Sequence, residues 1–273
     1  MKIEQLDKIL MKVQKPSRYT GGEIGSVVKT LTPDMVRFAM CFPDMYDVGM
    51  SHLGMKILYS LKNERDDIWC ERCFAPDIDM ENLMRENNIP LYGLESLDPL
   101  SDFDFIGFTL QYELSFTAVL NMLDLAGLEV RSDKRGENDP IIIAGGPCAC
   151  NPEPIADFID IFVLGEGEEV NLELIDLYKE CRKQGLDKLK FLEKAAQIKG
   201  IYVPRFYNFE YNDDKTIKSV TVSHNAPEKV EKRIIVDIDK VYYPSEFIVP
   251  FSDTVHDRAM AEVFRGCIRG CRF

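Results

Sequence analysis

Apolar residues follow two rhythms along the chain. Between Asp34 and about Gly200, short predominantly apolar runs alternate with longer stretches in which apolar residues recur every three or four positions. The short runs, Val36–Cys41, Ile68–Phe74, Phe105–Leu110, Pro140–Ala144 and Ile161–Leu164, predict strands buried on both faces, with the last ending the sheet. The periodic stretches predict helices. Ser51–Asn63 carries Leu53, Ile57, Leu58 and Leu61 on one face, with Ser51 as N-cap. Asp79–Asn87, Leu114–Ala126 (ended by Gly127), Glu168–Arg182 and Asp187–Ile198 follow, and Leu91–Leu94 forms a brief extended piece between them.

Buried strands alternating with helices imply an α/β fold, a doubly wound, flavodoxin-like parallel sheet over residues 34–200. Residues 1–33 precede it. Met1–Met11 has the spacing of a short amphipathic helix (Ile3, Leu6, Ile9, Leu10), broken by Pro16-Ser-Arg-Tyr-Thr-Gly-Gly-Glu23. That glycine-rich turn reads as a connector, although its glycines would also admit a ligand. Over 201–243 the rhythm changes to a small antiparallel β insert: a hairpin across Phe206–Val222 turning at Asn212–Lys215, then a third extended piece at Val230–Ile238. Residues 244–273 form a final segment, in which Ala261–Phe264 reads as a strand running into a loop.

Composition narrows the function class. A chain of 273 residues corresponds to about two domains. No apolar run approaches the roughly 18–20 residues of a membrane span, and the first residues lack the apolar region of a signal peptide. Eight cysteines without a secretory signal fit reduced thiols in a cytoplasmic protein. A net charge of −13 argues against a general nucleic-acid surface. Arg258, Arg265, Arg269 and Arg272 cluster locally near the carboxyl end.

In a parallel sheet the carboxyl ends of the strands share one edge, where ligands bind. Four loops fall there: Phe42–His52, Thr109–Glu113, Gly145–Pro152 and Gly165–Glu169. They nominate Asp47, Gly49, Ser51, Gln111, Gly145, Gly146, Pro147, Gly165, Glu166, Gly167 and Glu168 as ligand-binding residues. The glycines would let a large flat ligand lie against backbone. The glutamates at a helix N-terminus would repel a phosphate, and neither GxGxxG nor GxxxxGK[ST] occurs.

The most specific signal is the run Arg265-Gly-Cys267-Ile-Arg-Gly-Cys271-Arg-Phe273. Thiolates suit iron–sulfur clusters, and flanking glycines let a loop wrap an inorganic core. The run resembles the opening of the radical S-adenosylmethionine cluster loop, cysteine-x3-cysteine-x-aromatic-cysteine. Phe273 stands at the aromatic position. The resemblance implies that Cys267 and Cys271 ligate a [4Fe-4S] cluster that binds S-adenosylmethionine, and that the chain is an amino-terminal fragment whose third cysteine would be residue 274. With Gly-Gly-Pro at 145–147, Gly-Glu-Gly-Glu at 165–168, Arg18–Glu23 and His256–Arg258, the whole chain resembles an uncharacterised subfamily of cobalamin-type radical SAM proteins. That resemblance implies a cobalamin-binding-type domain at 34–200 and the first strand of a partial TIM barrel in 244–273. It also implies radical chemistry, with methyl transfer favoured if cobalamin is bound. The fragment alone is expected to be inactive.

One departure concerns cobalt. The DxHxxG signature is missing, since Asp47 and His52 are five apart, so His52 reads as a polar residue in the first turn of a helix. Among the other thiols, Cys70 and Cys73 point to opposite faces of a strand, while Cys148, Cys150 and Cys181 read as packing residues. The competing reading is a non-catalytic cofactor-binding or interaction domain with incidental cysteines. Small-molecule cofactors are the expected partners, and neither substrate nor reductant is legible.

Overall fold

A computed structural model describes residues 3–256 and 258–271. The elements are α1 (Ile3–Leu10), β1 (Val36–Phe42), α2 (Tyr46–Gly49), α3 (Leu53–Asn63), β2 (Ile68–Phe74), α4 (Ile78–Asn87), β3 (Phe105–Thr109), α5 (Phe116–Leu125), β4 (Ile141–Gly145), β5 (Ile161–Val163), α6 (Gly167–Lys183), α7 (Lys188–Ala195), β6 (Ile201–Tyr202), β7 (Tyr207–Tyr211) and β8 (Ile217–Val222). The sheet order is β2-β1-β3-β4-β5-β6. The first five strands are parallel, and β6 runs antiparallel to β5. The sheet therefore ends one strand later than the sequence reading placed it.

Strand order fixes the layers. The chain leaves β1 for β2 on one side and then returns past β1 to β3, so right-handed crossovers put the two connections on opposite faces. The contacts agree. On one face α3 packs against α6, and Phe38 and Phe105 stack beneath them with centroids 5.8 Å apart. On the other, α4 meets α1 and is tied to α5 by Arg85 donating to Asp124 at 2.8 Å. Residues Val36–Phe42 and Ile68–Phe74 are buried along their whole length, as strands covered on both faces require.

Strand β2 is an edge strand that nonetheless carries Glu71 and Arg72 in its buried middle. The glycine-rich connector and the 94–98 turn make that possible by wrapping the edge. The Leu94 amide donates to the Arg72 carbonyl at 2.8 Å, and Trp69 Nε1 donates to the Val27 carbonyl at 3.0 Å. Glu23 accepts from Arg72 Nη1 at 2.9 Å and Nη2 at 2.6 Å, and from the Tyr46 hydroxyl at 2.7 Å. Gly21 sits at φ 60°, with the Leu94 carbonyl oxygen 2.0 Å from where a Cβ would stand. This turn covers an exposed sheet edge, the usual route to unwanted pairing.

Three local expectations change. Helix α3 starts at Leu53 and its N-cap is His52, whose Nδ1 accepts from the Met55 amide at 3.1 Å, where Ser51 was expected. Residues 230–238 form no strand; their one ladder contact is a parallel bridge between Gly165 and Arg233. Residues 261–264 are irregular, and all but half-buried Glu262 are exposed, so neither that strand nor a barrel strand forms among the described residues. The β7–β8 hairpin forms where predicted, closed by the Lys215 amide donating to the Asn212 carbonyl.

Candidate functional site

A cavity of about 430 Å³ opens at the carboxyl edge of the sheet, between its α3/α6 face and those two helices. Its volume is within the range of small-molecule sites. Phe38, Met40, Gly107, Ile143 and Val163 make the floor, and Ile57 and Leu58 of α3 the wall. The floor residues fall in register across β1, β3 and β4, with Met40 beside Gly107 and Gly107 beside Ile143. The order in which strands are added to the sheet reverses between β1 and β3, which is where open parallel sheets bind ligands.

At the rim, His52, Gln111 and Thr109 form a polar chain. His52 Nδ1 is used as the acceptor for the Met55 amide, so the neutral ring carries its hydrogen on Nε2. Burial lowers the pKa of His52 and favours the neutral ring, opposed by a hydrogen bond that the ring donates to Gln111. Gln111 Nε2 donates to Thr109 Oγ1 at 2.6 Å, leaving the Gln111 carbonyl oxygen as the partner of the imidazole. With Nδ1 occupied by the Met55 amide and the Nε2 hydrogen directed to Gln111, His52 has no free lone pair for a metal.

Opposite lies the acidic start of α6. Glu166 is the N-cap residue, and Glu166 and Glu168 line the cavity. Their counter-ion is Arg265, which pairs with Glu168, reaches Glu166 at 3.5 Å and binds Glu262 at 2.8 Å. Hydrogen bonding to Glu262 raises the guanidinium pKa, with Glu168 adding to it against burial. Arg265 is two residues before Cys267, so the cysteine loop is anchored at the mouth of the cleft. Cys267 and Cys271 are exposed, and Cys267 Sγ accepts from the Arg269 amide at 3.4 Å.

Of the residues nominated from sequence, Gln111, Gly145, Gly146, Pro147, Gly165, Glu166, Gly167 and Glu168 all line this cavity. Asp47, Gly49 and Ser51 do not. Asp47 pairs with Arg18 Nε at 2.6 Å and Lys15 at 3.3 Å, Gly49 is pressed against the Phe74 ring, and Ser51 donates to the Asp47 carbonyl at 2.8 Å. Phe273 lies outside the described residues. Cys150 is exposed and Cys148 half-buried, so the 145–152 thiols are not the buried pair expected. Thr109 and Asn171 also line the cavity and were not nominated; only register and helix phase place them here.

The glycines divide by role. Gly146 (φ 101°) and Gly165 (φ 112°) are required by backbone: an added Cβ would meet the Leu110 carbonyl oxygen at 2.7 Å and the Arg233 carbonyl oxygen at 2.1 Å. At Gly145 a Cβ would make only ordinary contact with Val163 at 3.7 Å, so its absence widens the cavity.

The largely parallel α/β sheet carries an apolar, polar-rimmed cleft at its carboxyl edge, the place where such sheets bind small molecules. Residues 54–204, more than half of the chain, match the family described as radical SAM proteins, N-terminal, and the chain belongs to that family. It is 27% identical over 239 residues to an uncharacterized protein of Methanocaldococcus jannaschii. That alignment covers 86% of this chain and 40% of the relative, so the chain spans well under half of the relative's length. No solved structure matches. Among the described residues no helix is long and apolar enough to cross a membrane.

Proposed function

We propose that this chain is the cofactor-binding amino-terminal portion of a radical SAM enzyme. In this reading Cys267 and Cys271 supply two thiolates to a [4Fe-4S] cluster, and the cleft, which resembles a flavodoxin-like cobalamin site, holds a corrinoid. The observation that carries the reading is Arg265, which ties the cysteine loop to the Gly165–Glu168 rim of the cleft. Two cofactors that act on one substrate have to face each other, and this ion-pair cluster holds the two sites together.

The residues present fit the two groups to different degrees. Cys267 and Cys271 are exposed soft donors, Gly266 adopts φ 86°, and the Arg269 amide already donates to the Cys267 sulfur, an arrangement suited to a thiolate. Among the described residues no three metal-ligating side chains gather, so further ligands must come from elsewhere. Because His52 Nε2 carries its hydrogen, a corrinoid held in this cleft would have no bond from that imidazole to cobalt. The Gln111 amide and the Glu166 carboxylate suit peripheral amides.

When bound, such a cluster with S-adenosylmethionine supplies a radical, and a corrinoid supplies a transferable methyl group. The chain's own part is positioning. Gly145 keeps the floor open, the Gln111–Thr109 bond fixes the rim amide, and Arg265 offsets part of the negative charge of Glu166 and Glu168 at the rim. The test is anaerobic reconstitution of the full-length protein with iron and sulfide. Cys267→Ala and Cys271→Ala should each remove the cluster absorption while the far-ultraviolet circular dichroism is retained. Full cluster content in both variants would end the assignment.

A further inference from the structure

The cleft lies at the amino end of α6, and a second cavity lies at the other end of that helix. It measures about 280 Å³ and opens beside the amino ends of β3 and β4, on the sheet edge opposite the cleft, with which it shares no lining residue. Phe103, Ile141, Tyr178, Leu186 and Phe191 give it apolar walls. The Tyr178 and Phe191 rings meet edge to face with centroids 5.5 Å apart, which fixes both. The volume is close to the lower bound of small-molecule sites, so it admits a small ligand.

The charges of this wall are not balanced within it. Glu137, Asp139 and Asp187 line the cavity without an ion-pair partner among the described residues. Each is pinned through one oxygen to a backbone amide: Glu137 Oε1 accepts from Lys188 at 2.6 Å, Asp139 Oδ2 from Gly136 at 2.7 Å and Asp187 Oδ1 from Lys190 at 2.8 Å. The second oxygen of each takes no hydrogen bond among the described residues. The two cations of the wall are engaged with other groups. Lys188 Nζ donates to the Asp139 and Pro140 carbonyl oxygens at 3.2 and 3.3 Å. Arg182 pairs with Asp104 at 3.5 Å and lies 5.7 Å from the centroid of the Tyr178 ring, so the chain already seats one cation of its own on this aromatic wall.

Three carboxylates fixed around one hollow repel one another, and a cation placed among them relieves that repulsion. Among the described residues no three such side chains are placed to ligate a metal ion. The apolar and aromatic wall facing them suits a hydrocarbon tail instead. We propose that this cavity binds a small organic cation, a primary ammonium with an apolar tail, its head among Glu137, Asp139 and Asp187 and its tail against Tyr178 and Phe191. A primary ammonium carries three N–H donors, one for each free carboxylate oxygen. The site is separate from the cleft and stands whichever cofactor the cleft holds.

Phenethylammonium is the probe, titrated into the protein and followed by calorimetry and by backbone amide resonances. The amides of Ile141, Cys181 and Leu186 should shift saturably, and those of Gly145 and Gly167 in the cleft should not. Binding should weaken as ionic strength rises from about 0.05 to about 0.5 M. Phenylethanol, which has the same tail without the charge, should bind at least about tenfold more weakly. The triple variant Glu137→Gln, Asp139→Asn, Asp187→Asn keeps every oxygen that accepts from a backbone amide and removes the three charges. It should melt within about 2 °C of the parent and bind phenethylammonium at least about tenfold more weakly. If it melts lower, Glu137→Gln alone, at the exposed rim, decides by weakening binding about threefold. Unchanged affinity in the variant, equal binding of phenylethanol, or no saturable shift at the three amides would each overturn the proposal. So would magnesium ions that reproduce the same shifts at the same concentration, since the site would then be an acidic cluster only.

Discussion

Glu23 offers the sharpest test of how the amino-terminal connector is held. Its carboxylate is buried and accepts three hydrogen bonds, two from Arg72 at 2.9 and 2.6 Å and one from the Tyr46 hydroxyl at 2.7 Å. Arg72 is itself buried and keeps a second partner, Glu95, at 2.7 Å. Glu23→Ala therefore leaves a buried guanidinium half-paired and a buried phenol without its acceptor. Removing one partner of a buried ion pair costs about 3–5 kcal/mol, less whatever Glu95 retains. At roughly 2–4 °C per kcal/mol for a chain of this size, the melting temperature should fall by about 10 °C. Glu231→Ala is the control, since its partner Lys199 and Glu231 itself are exposed; it should cost at most about 0.5 kcal/mol. Thermal and urea unfolding of the three proteins decide it. If Glu23→Ala melts within about 2 °C of the parent, the connector does not clamp the sheet edge and its burial is incidental.

Gly146→Ala should destabilise by about 1–3 kcal/mol, because it forces a Cβ at φ 101° toward the Leu110 carbonyl, whereas Gly145→Ala should fold normally. On the corrinoid reading Gly145→Ala should also weaken hydroxocobalamin binding in a spectral titration, and unchanged affinity would place the ligand elsewhere. Arg265→Ala should leave global stability within about 1 kcal/mol, since the cluster is partly exposed, while speeding limited proteolysis within 258–271. Acid should destabilise the fold through Asp67, Asp77 and Glu23. Asp67 and Asp77 are held below their usual range chiefly by hydrogen bonds from Arg65 and Arg18, and Glu23 by Arg72 against the opposing effect of burial. Their folded values are depressed, so their contribution is full above about pH 5 and is lost as pH falls through the folded values. Glu95, whose burial raises it, works in the opposite direction. A denaturation midpoint that is flat from pH 6 to about 3 would refute the balance drawn here.

The sequence by itself determined the layer architecture, because β1 to β5 are predominantly apolar runs of the kind that a sheet covered on both faces buries, with helix periods between them. It also located the carboxyl-edge loops, and eight of the eleven residues nominated there do line the cleft. Asp47, Gly49 and Ser51 failed because loop position says nothing about which way a two-turn connection faces; α2 turns them toward Arg18 and Phe74 instead. Only the tertiary structure separated glycines that a left-handed backbone requires, Gly146 and Gly165, from Gly145, whose missing side chain is cavity space. Nor could local pattern reveal that Glu23 and Arg72, 49 residues apart, neutralise each other, or that Lys62 Nζ has no hydrogen-bond partner among the described residues. Hydrophobic periodicity is written in neighbouring residues and survives in one dimension. The pairing of buried charges depends on distances that exist only once the chain has closed.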